Sequence, residues 1–283
     1  MEQATRKAKT AAEQEPAKRN AAGKTRFHLE EGVGCIRMDS PENLNAIDAE
    51  LAAELLQRLE DCEKDPAVRV ILLLGGEKAF SAGGDLGYFG RLIREEHLSE
   101  MKNIFTAVGR LALKIKQMEK LVITAVKGAA AGAGANLALS GDFVIAAENA
   151  KFIQAFVNLG LATDTGGAYL LSKAIGAARA LELCISGRPL SAAEAEQLGL
   201  VKLLCPREEL EEQAMAFAKS LANGPLLAYA NIKKQIFAAA YSDYEHYLSE
   251  IELPLQCSGV ETADFKEGVM AFLEKRKPAF RGE

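Results

Sequence analysis

The chain has 283 residues, of which 49% are hydrophobic and 26% are charged, and its formal net charge is −5. This length and composition are typical of a globular protein with one large core or two modest domains. No apolar run has membrane-spanning length, and the acidic balance argues against nucleic acid as a partner. The five cysteines are scattered and no pair has metal-ligand spacing, so we expect a reduced, cytoplasmic protein without a metal site.

The N-terminal segment, residues 1–24, is poor in hydrophobic side chains and rich in Lys, Arg, Glu, Gln and Ala. It buries too little surface to offset the entropy lost on ordering, so we predict a disordered tail. The segment lacks the apolar core of a secretory signal. Glu2, Glu13 and Glu15 are atypical of an organelle transit peptide, which is poor in acidic residues.

Residues 25–205 show the alternation of strands and helices that is typical of an α/β core. The predicted strands are short apolar runs at 26–29, 34–38, 68–74, 122–126, 143–147 and 151–153. Asp48 is placed to cap a helix over 49–62. Residues 206–283 show helical patterns only, at 208–221, 225–239, 243–253 and 263–275. We therefore predict a helical C-terminal domain after residue 205.

The most informative stretch is Phe80–Leu86, with the sequence FSAGGDL, which follows a buried strand. Its adjacent glycines let the backbone turn tightly and approach a ligand closely, because no Cβ is in the way. Asp85 is placed to cap the following helix. Backbone N–H groups in such a turn can stabilise negative charge on a substrate oxygen. An ordinary tight turn remains the simpler alternative.

A second turn of the same kind lies at Lys127–Asn136, between the strand at 122–126 and another predicted helix. It consists almost entirely of glycine and alanine. Two such turns can each direct one N–H group at the same oxygen, which favours a binding site over two unrelated turns.

These stretches carry a family resemblance. Phe80–Leu86, Gly128–Asp142 and Gly160–Gly167 resemble the three signature blocks of the crotonase (enoyl-CoA hydratase/isomerase) superfamily, and Phe265–Pro278 is similar to its closing helix. The resemblance spans roughly residues 25–282. It implies a ClpP-like spiral of ββα units with C-terminal helices that assemble a homotrimer or a dimer of trimers. It also implies an acyl-CoA thioester as substrate, with no cofactor beyond the CoA that the substrate carries.

The resemblance implies that the backbone N–H groups of Gly84 and Ala133 form the oxyanion hole. Hydratases of the superfamily use two glutamates, which correspond to Asn136 and Phe156 here. Neither of these residues exchanges a proton, so the standard hydratase mechanism is not expected.

Asp164 is the remaining acid in the signature blocks, and it matches the catalytic aspartate of ring-epoxide phenylacetyl-CoA isomerases and dienoyl-CoA isomerases. The residue pattern alone leaves a second interpretation open, in which Asp164 caps a helix that begins near Thr165. Its glycine-rich, apolar surroundings favour a carboxyl with a raised pKa that moves a proton. A lone carboxyl suits a shift of a double bond from Δ3 to Δ2 of an enoyl-CoA, or a related ring rearrangement.

Three other functions remain as alternatives. One is an enoyl-CoA hydratase with an atypical acid and base, and another is a non-catalytic acyl-CoA- or RNA-binding relative. The third is an aryl-CoA dehalogenase, which resembles the chain at Asp164 and Thr165 but requires a tryptophan at Phe156 and a histidine at Gly109. By resemblance, the residues that contact substrate or CoA are Lys78, Ala82, Asp85, Leu86, Asn136, Phe156, Phe272 and Lys275.

Overall fold

The computed structural model describes residues 23–283, so almost all of the predicted disordered tail lies outside the described residues. Ten strands occur in chain order: β1 (Thr25–Glu30), β2 (Val33–Met38), β3 (Val70–Leu74), β4 (Ala79–Ser81), β5 (Val122–Val126), β6 (Ala129–Ala131), β7 (Phe143–Ala147), β8 (Lys151–Ile153), β9 (Pro189–Ser191) and β10 (Leu203–Cys205).

The described part of the chain also contains twelve α-helices: α1 (Ala49–Lys64), α2 (Leu86–Arg94), α3 (Met101–Gln117), α4 (Ala133–Leu139), α5 (Gly167–Ile175), α6 (Ala177–Ser186), α7 (Ala192–Gln197), α8 (Leu210–Ala222), α9 (Leu226–Ala240), α10 (Tyr244–Tyr247), α11 (Leu253–Gly259) and α12 (Ala263–Leu273). Short 3₁₀ helices cover Pro41–Asn43, Leu98–Glu100, Ala155–Leu159 and Arg207–Glu209. A π-helical stretch, Leu248–Glu252, joins α10 to α11. Within residues 23–283, no helix combines the length and the apolar character needed to cross a membrane.

The strands form two sheets that the chain visits alternately. The larger sheet has the order β1-β2-β3-β5-β7-β10, and the smaller has the order β4-β6-β8-β9. Strands β3, β5 and β7 pair in parallel in the first sheet, and the strand that follows each of them joins the second. The chain therefore winds as a spiral of strand–strand–helix units, which confirms the predicted α/β spiral.

The main core lies between the larger sheet and helices α1, α3 and α4, where apolar side chains at helical spacing face inward. A second core lies on the opposite face of that sheet, where α8 contributes Leu210, Ala214, Ala218 and Ala222. The first helix after residue 205 thus covers the sheet that the preceding residues build. That residues 206–283 form a separate helical domain stays a prediction.

Local signals placed several elements correctly. Asp48 caps α1 by accepting a hydrogen bond from Leu51 N at 2.9 Å, as predicted. The glycine-rich turns differ from the prediction, because each contains a strand, β4 and β6, too short to leave an alternating pattern. The single helix predicted over 243–253 is also wrong, since its second half is the π-helical stretch.

Candidate active site

The two glycine-rich turns meet at one edge of the smaller sheet. Gly84 follows the end of β4 and Ala133 follows the end of β6, and these two strands pair in parallel. The carboxyl ends of parallel neighbours lie at the same edge of a sheet, so the two turns are adjacent. A Cβ on Gly83 would lie 2.6 Å from the carbonyl oxygen of Ala131, which shows how closely the two backbones approach.

The N–H group of Gly84 is held free of the surrounding backbone. Ile47 donates its own N–H to Gly83 O at 2.6 Å and accepts from Asp85 N at 3.2 Å, so it fixes both neighbours of Gly84. Ser81 makes a third hydrogen bond to this turn, because its hydroxyl oxygen accepts from Gly83 N at 3.1 Å. The Gly84 N–H itself has no acceptor among residues 23–283.

The N–H group of Ala133 is free for a different reason. Ala133 is the first residue of α4, and the first N–H groups of a helix have no acceptor within it. The preceding residue, Gly132, has φ 50° and ψ −127°, a conformation that only glycine adopts readily. In the described chain, this N–H is likewise without a partner.

Both groups border an apolar cavity of about 210 Å³ between the turns, α3 and α12. Its walls are chiefly apolar side chains and glycines: Ile47, Ala82, Leu86, Phe89, Ile104, Phe105, Val108, Phe156, Leu159, Leu161 and Phe272, with Gly83, Gly84 and Gly132. Asp164 is the single acidic residue among the lining residues. The structure therefore brings together Gly84, Ala133 and Asp164, which sequence reasoning grouped.

The carboxyl of Asp164 is buried, with only 6% of the residue exposed. Burial raises its pKa to about 7, and the Thr165 hydroxyl opposes this by donating a hydrogen bond to Asp164 Oδ1 at 2.6 Å. The alternative role as a helix cap is wrong, because α5 begins at Gly167 and its cap position is Gly166. A carboxyl with a pKa near neutrality is suited to accept and return a proton.

Asn136 lies behind the loop that carries Asp164 and does not line the cavity. Its side-chain nitrogen donates to Thr163 Oγ1 at 3.1 Å and to Asp164 O at 2.7 Å. Its side-chain oxygen accepts from Gln154 Nε2 at 2.7 Å. These bonds occupy the buried amide and support the loop, and the predicted substrate contact of Asn136 stays a prediction.

The other predicted contacts divide into two groups. Ala82, Leu86, Phe156 and Phe272 line the cavity, and Phe272 reaches it from α12 of the same chain. The remaining three do not line it: Asp85, Lys78 and Lys275.

Asp85 instead caps α2, accepting a hydrogen bond from Tyr88 N at 3.0 Å, because its backbone points the carboxyl at the helix end. Lys78 is exposed and borders a separate cavity of about 370 Å³ with Arg26 and Arg37. Lys275 is exposed just beyond the end of α12. Lys78 and Lys275 thus lie outside the acyl-sized cavity, and their contact with CoA stays a prediction.

Sequence reasoning missed Glu252, a buried acid near Asp164. It is 5% exposed, and both of its carboxyl oxygens accept hydrogen bonds from Gly166 N, at 3.1 and 3.0 Å. Burial, and next the charge of Asp164, raise its pKa to about 8. No local pattern distinguished Glu252 from the surface acids of a helix, since its burial depends on a loop 86 residues earlier in the chain.

Within residues 23–283, two backbone N–H groups without acceptors and a buried carboxyl belong to residues that line one apolar cavity. Such an arrangement is suited to hold an oxyanion and to move a proton. The chain belongs to the enoyl-CoA hydratase/isomerase family, whose model matches residues 28–283, and hence to the crotonase superfamily.

Relatives of known name include both isomerases and hydratases. The chain is 36% identical to a trans-2-decenoyl-[acyl-carrier-protein] isomerase of Streptococcus mutans over 91% of this chain and 97% of the relative. It is 38% identical to the 1,2-epoxyphenylacetyl-CoA isomerase of Escherichia coli, over 90% and 97% of the two chains. A probable enoyl-CoA hydratase of Rhodobacter capsulatus is also 38% identical, over 91% and 97%.

Solved structures share the fold. An enoyl-CoA hydratase from Mycobacterium avium subsp. paratuberculosis matches with a TM-score of 0.82 and 30% identity, over 92% of this chain and 99% of that chain.

Proposed function

We propose that the protein is an enoyl-CoA isomerase that moves a double bond from Δ3 to Δ2 of an acyl thioester. One observation carries this proposal: Asp164 is the single acid in an apolar cavity that also presents the free N–H groups of Gly84 and Ala133. A single proton carrier and an oxyanion hole are the parts that this reaction needs.

The reaction begins when the ionised Asp164 removes a proton from C2 of a 3-enoyl thioester. The C–H electron pair becomes a dienolate, and its negative charge collects on the thioester oxygen. The N–H groups of Gly84 and Ala133 stabilise that oxygen, each by roughly 3–4 kcal/mol. Asp164 then returns the proton to C4, which leaves the conjugated 2-enoyl thioester. Atoms and charge balance without any water or external redox partner.

The protonation behaviour of Asp164 supports this assignment. A pKa of about 7 leaves the carboxyl partly ionised near neutral pH and lets it serve as both base and acid in one turnover. The apolar walls supplied by Phe89, Phe105 and Phe156 suit a hydrocarbon chain and keep water away from the dienolate.

Hydration receives less support from the site. Water addition needs an acid–base group to orient and activate water, and the two positions at which the resemblance implies glutamates hold other groups. The Asn136 amide is fully engaged behind the loop, and Phe156 presents a ring to the cavity.

The named relatives add two variants of the proposed reaction. One isomerises an acyl chain carried by acyl carrier protein, and another acts on an epoxyphenylacetyl-CoA. Both are isomerases, which agrees with the proposed class. We take CoA as the carrier and expect no further cofactor, and a substrate panel should include both carriers and an aromatic acyl group.

The testing experiment follows formation of the conjugated thioester from 3-enoyl-CoA by ultraviolet absorbance. We expect turnover by the native protein and loss of at least about 10³-fold in Asp164→Asn, because the amide cannot accept the proton. Full activity in Asp164→Asn would contradict the proposal. Hydration of crotonyl-CoA that survives in Asp164→Asn would favour a hydratase. Thioester binding without deuterium exchange at the α-carbon would favour a non-catalytic relative.

We also propose assembly into a trimer or a dimer of trimers. Helix α9 has no buried residue in the single chain, and its exposed apolar side chains include Leu227, Ile232 and Ile236. An exposed apolar helix face of this kind is typical of a subunit contact.

A further inference from the structure

Glu252 lies outside the cavity, on the far side of the loop that presents Asp164. On the basis of the proposed isomerase function, we propose that Glu252 is a positioning residue for the Asp164 base. Its carboxyl fixes Gly166 and, once ionised, strengthens Asp164 as a base. Nothing in the signature blocks assigns a role to this residue.

The contact with Gly166 gives the positioning role its geometry. Both carboxyl oxygens of Glu252 accept from Gly166 N, at 3.1 and 3.0 Å. Gly166 follows Asp164 by two residues and has a left-handed backbone with φ 73°. Thr165 between them is also left-handed, with φ 55°, although it is β-branched. Such a backbone persists only where its surroundings hold it, and the Glu252 carboxyl is one of those supports.

The helix that carries Glu252 is itself irregular at this point. Leu248–Glu252 is a π-helical stretch, a rare conformation that is found frequently at functional sites. The wider turn places Glu252 at its end, where the side chain faces the Asp164 loop.

Two buried polar atoms lie on the same helical segment as Glu252. In residues 23–283, the hydroxyl of Tyr244 and the Oε1 atom of Gln256 are buried without a hydrogen-bond partner. Gln256 follows Glu252 by four residues and therefore lies on the same helix face. Both Glu252 and Gln256 border a small cavity of about 170 Å³, and a buried acceptor without a donor is costly.

Charged groups around Glu252 determine how it titrates. Those that interact with it or share the cavity beside it are Asp164, Tyr244, Tyr247, Arg110 and Glu245. No salt bridge joins Glu252 to a cation in the described part of the chain. Asp164 is the charged group that raises the pKa of Glu252, and it carries a like charge.

The two carboxyls consequently ionise in sequence. The pKa of Asp164 is raised to about 7, and that of Glu252 to about 8, partly by the charge already on Asp164. The coupled pair therefore loses one proton near neutral pH and the second proton at higher pH. At higher pH the second ionisation places a negative charge behind Asp164 and increases its affinity for a proton.

The effect on the reaction has a definite sign. In both proton-transfer steps, negative charge moves from Asp164 to the thioester oxygen at Gly84 and Ala133. A charge on Glu252, behind the loop, repels Asp164 more than it repels that oxygen. Ionised Glu252 therefore favours both transition states over the resting enzyme. The proton of Glu252 never enters the substrate.

The test compares pH profiles of kcat/KM with 3-enoyl-CoA for the native protein, Glu252→Gln and Glu245→Gln. Glu245 is exposed and borders the same small cavity, so its variant is the matched control.

In the native protein and the control, we expect kcat/KM to rise through about pH 7 and to rise a second time above about pH 8. The second rise should be about threefold, because a like charge nearby raises a carboxyl pKa by roughly one unit and about half of that gain is expressed in the transition state. Glu252→Gln should show the first rise alone. A profile of unchanged shape in Glu252→Gln, or a native profile that falls above about pH 8, would overturn the proposal.

A measurement without substrate separates this proposal from the isomerase assignment. Carbon-13 NMR of labelled carboxyls should show the pKa of Glu252 well above that of an ordinary glutamate, and lower in Asp164→Asn. A normal Glu252 pKa would overturn the positioning role even in an active isomerase. Absence of turnover with raised, coupled carboxyls would instead refute the isomerase assignment.

Discussion

The side-chain amide of Asn136 donates a hydrogen bond to the backbone carbonyl of Asp164 at 2.7 Å. Asn136 stands where the resemblance implies a hydratase glutamate. It thus fixes the loop that carries Asp164, the one acidic residue that lines the cavity. The same nitrogen also donates to Thr163 Oγ1, and the amide oxygen accepts from Gln154 Nε2. An acid at this position would lose the N–H donor that holds the loop, so the isomerase-like and hydratase-like arrangements exclude each other in this chain.

Asn136→Ala should therefore destabilise the fold and impair catalysis together. Alanine preserves helix α4 but leaves several buried groups without partners, each at a cost of roughly 1–3 kcal/mol. We expect a loss of about 2–4 kcal/mol in the free energy of unfolding, measured by urea denaturation, and a lower kcat. Asn149→Ala, at an exposed residue, is the control. Equal stability of the two variants would contradict the supporting role.

Gly83→Ala should damage the oxyanion hole more than the fold. The new Cβ would lie 2.6 Å from Ala131 O and push the two turns apart. A displacement of about 1 Å can lower kcat by roughly 10²-fold. Gly199→Ala separates this clash from backbone strain, because Gly199 also has positive φ, at 77°, but has open space around it. Similar kcat values for the two variants would show that the contact between the turns is unimportant.

Thr165→Val should shift the pH dependence of the reaction. The Thr165 hydroxyl donates to Asp164 Oδ1 at 2.6 Å and stabilises the ionised form, so its loss raises the pKa of Asp164 above about 7. The acid limb of kcat/KM should move up by about one pH unit. Thr106→Val, on the exposed side of α3, should leave the limb unchanged. If the acid limb of kcat/KM stays at the same pH in Thr165→Val, then this limb does not report the ionisation of Asp164.

Asp164→Asn should stabilise the protein in a pH-dependent way. The pKa of Asp164 is about 7 in the folded chain, and about 3.9 is usual for an unfolded chain. Between these values the unfolded state releases its proton first, so native stability falls as pH rises from about 4 to about 7. Asp164→Asn lacks this loss, so its free energy of unfolding should exceed that of the native protein by a few kcal/mol above about pH 7. Urea titrations at several pH values check this. A constant difference across the range would contradict the raised pKa.

The proposed trimer makes α9 sensitive to charge. The double variant Ile232→Glu, Ile236→Glu places two acids on a face that is exposed in the single chain, where these residues are 54% and 56% exposed. We expect a smaller species in analytical ultracentrifugation, because burying unpaired carboxylates in a subunit contact is costly. Lys234→Glu makes the same change in net charge on this helix and should leave the assembly intact. Identical sedimentation of all three proteins would argue against a contact through α9.

The sequence by itself determined the features that depend on neighbours in the chain. The glycines at 83 and 84, the Asp85 cap and the short apolar strands are local requirements of backbone conformation and burial, so they are readable from residue order. The three signature blocks further predicted the grouping of Gly84, Ala133 and Asp164, and these residues line one cavity.

Only the tertiary structure decided how the carboxyl of Asp164 is supported and how its pKa is raised. Asn136 and Glu252 reach the Asp164 loop from 28 and 86 residues away in the chain. Hydrogen bonds and desolvation of this kind depend on the packed arrangement of distant segments, and no periodicity or motif encodes them. The sequence could therefore predict Asp164 as the candidate base, but the environment of this residue arises from the folded spiral and the helices that pack against it.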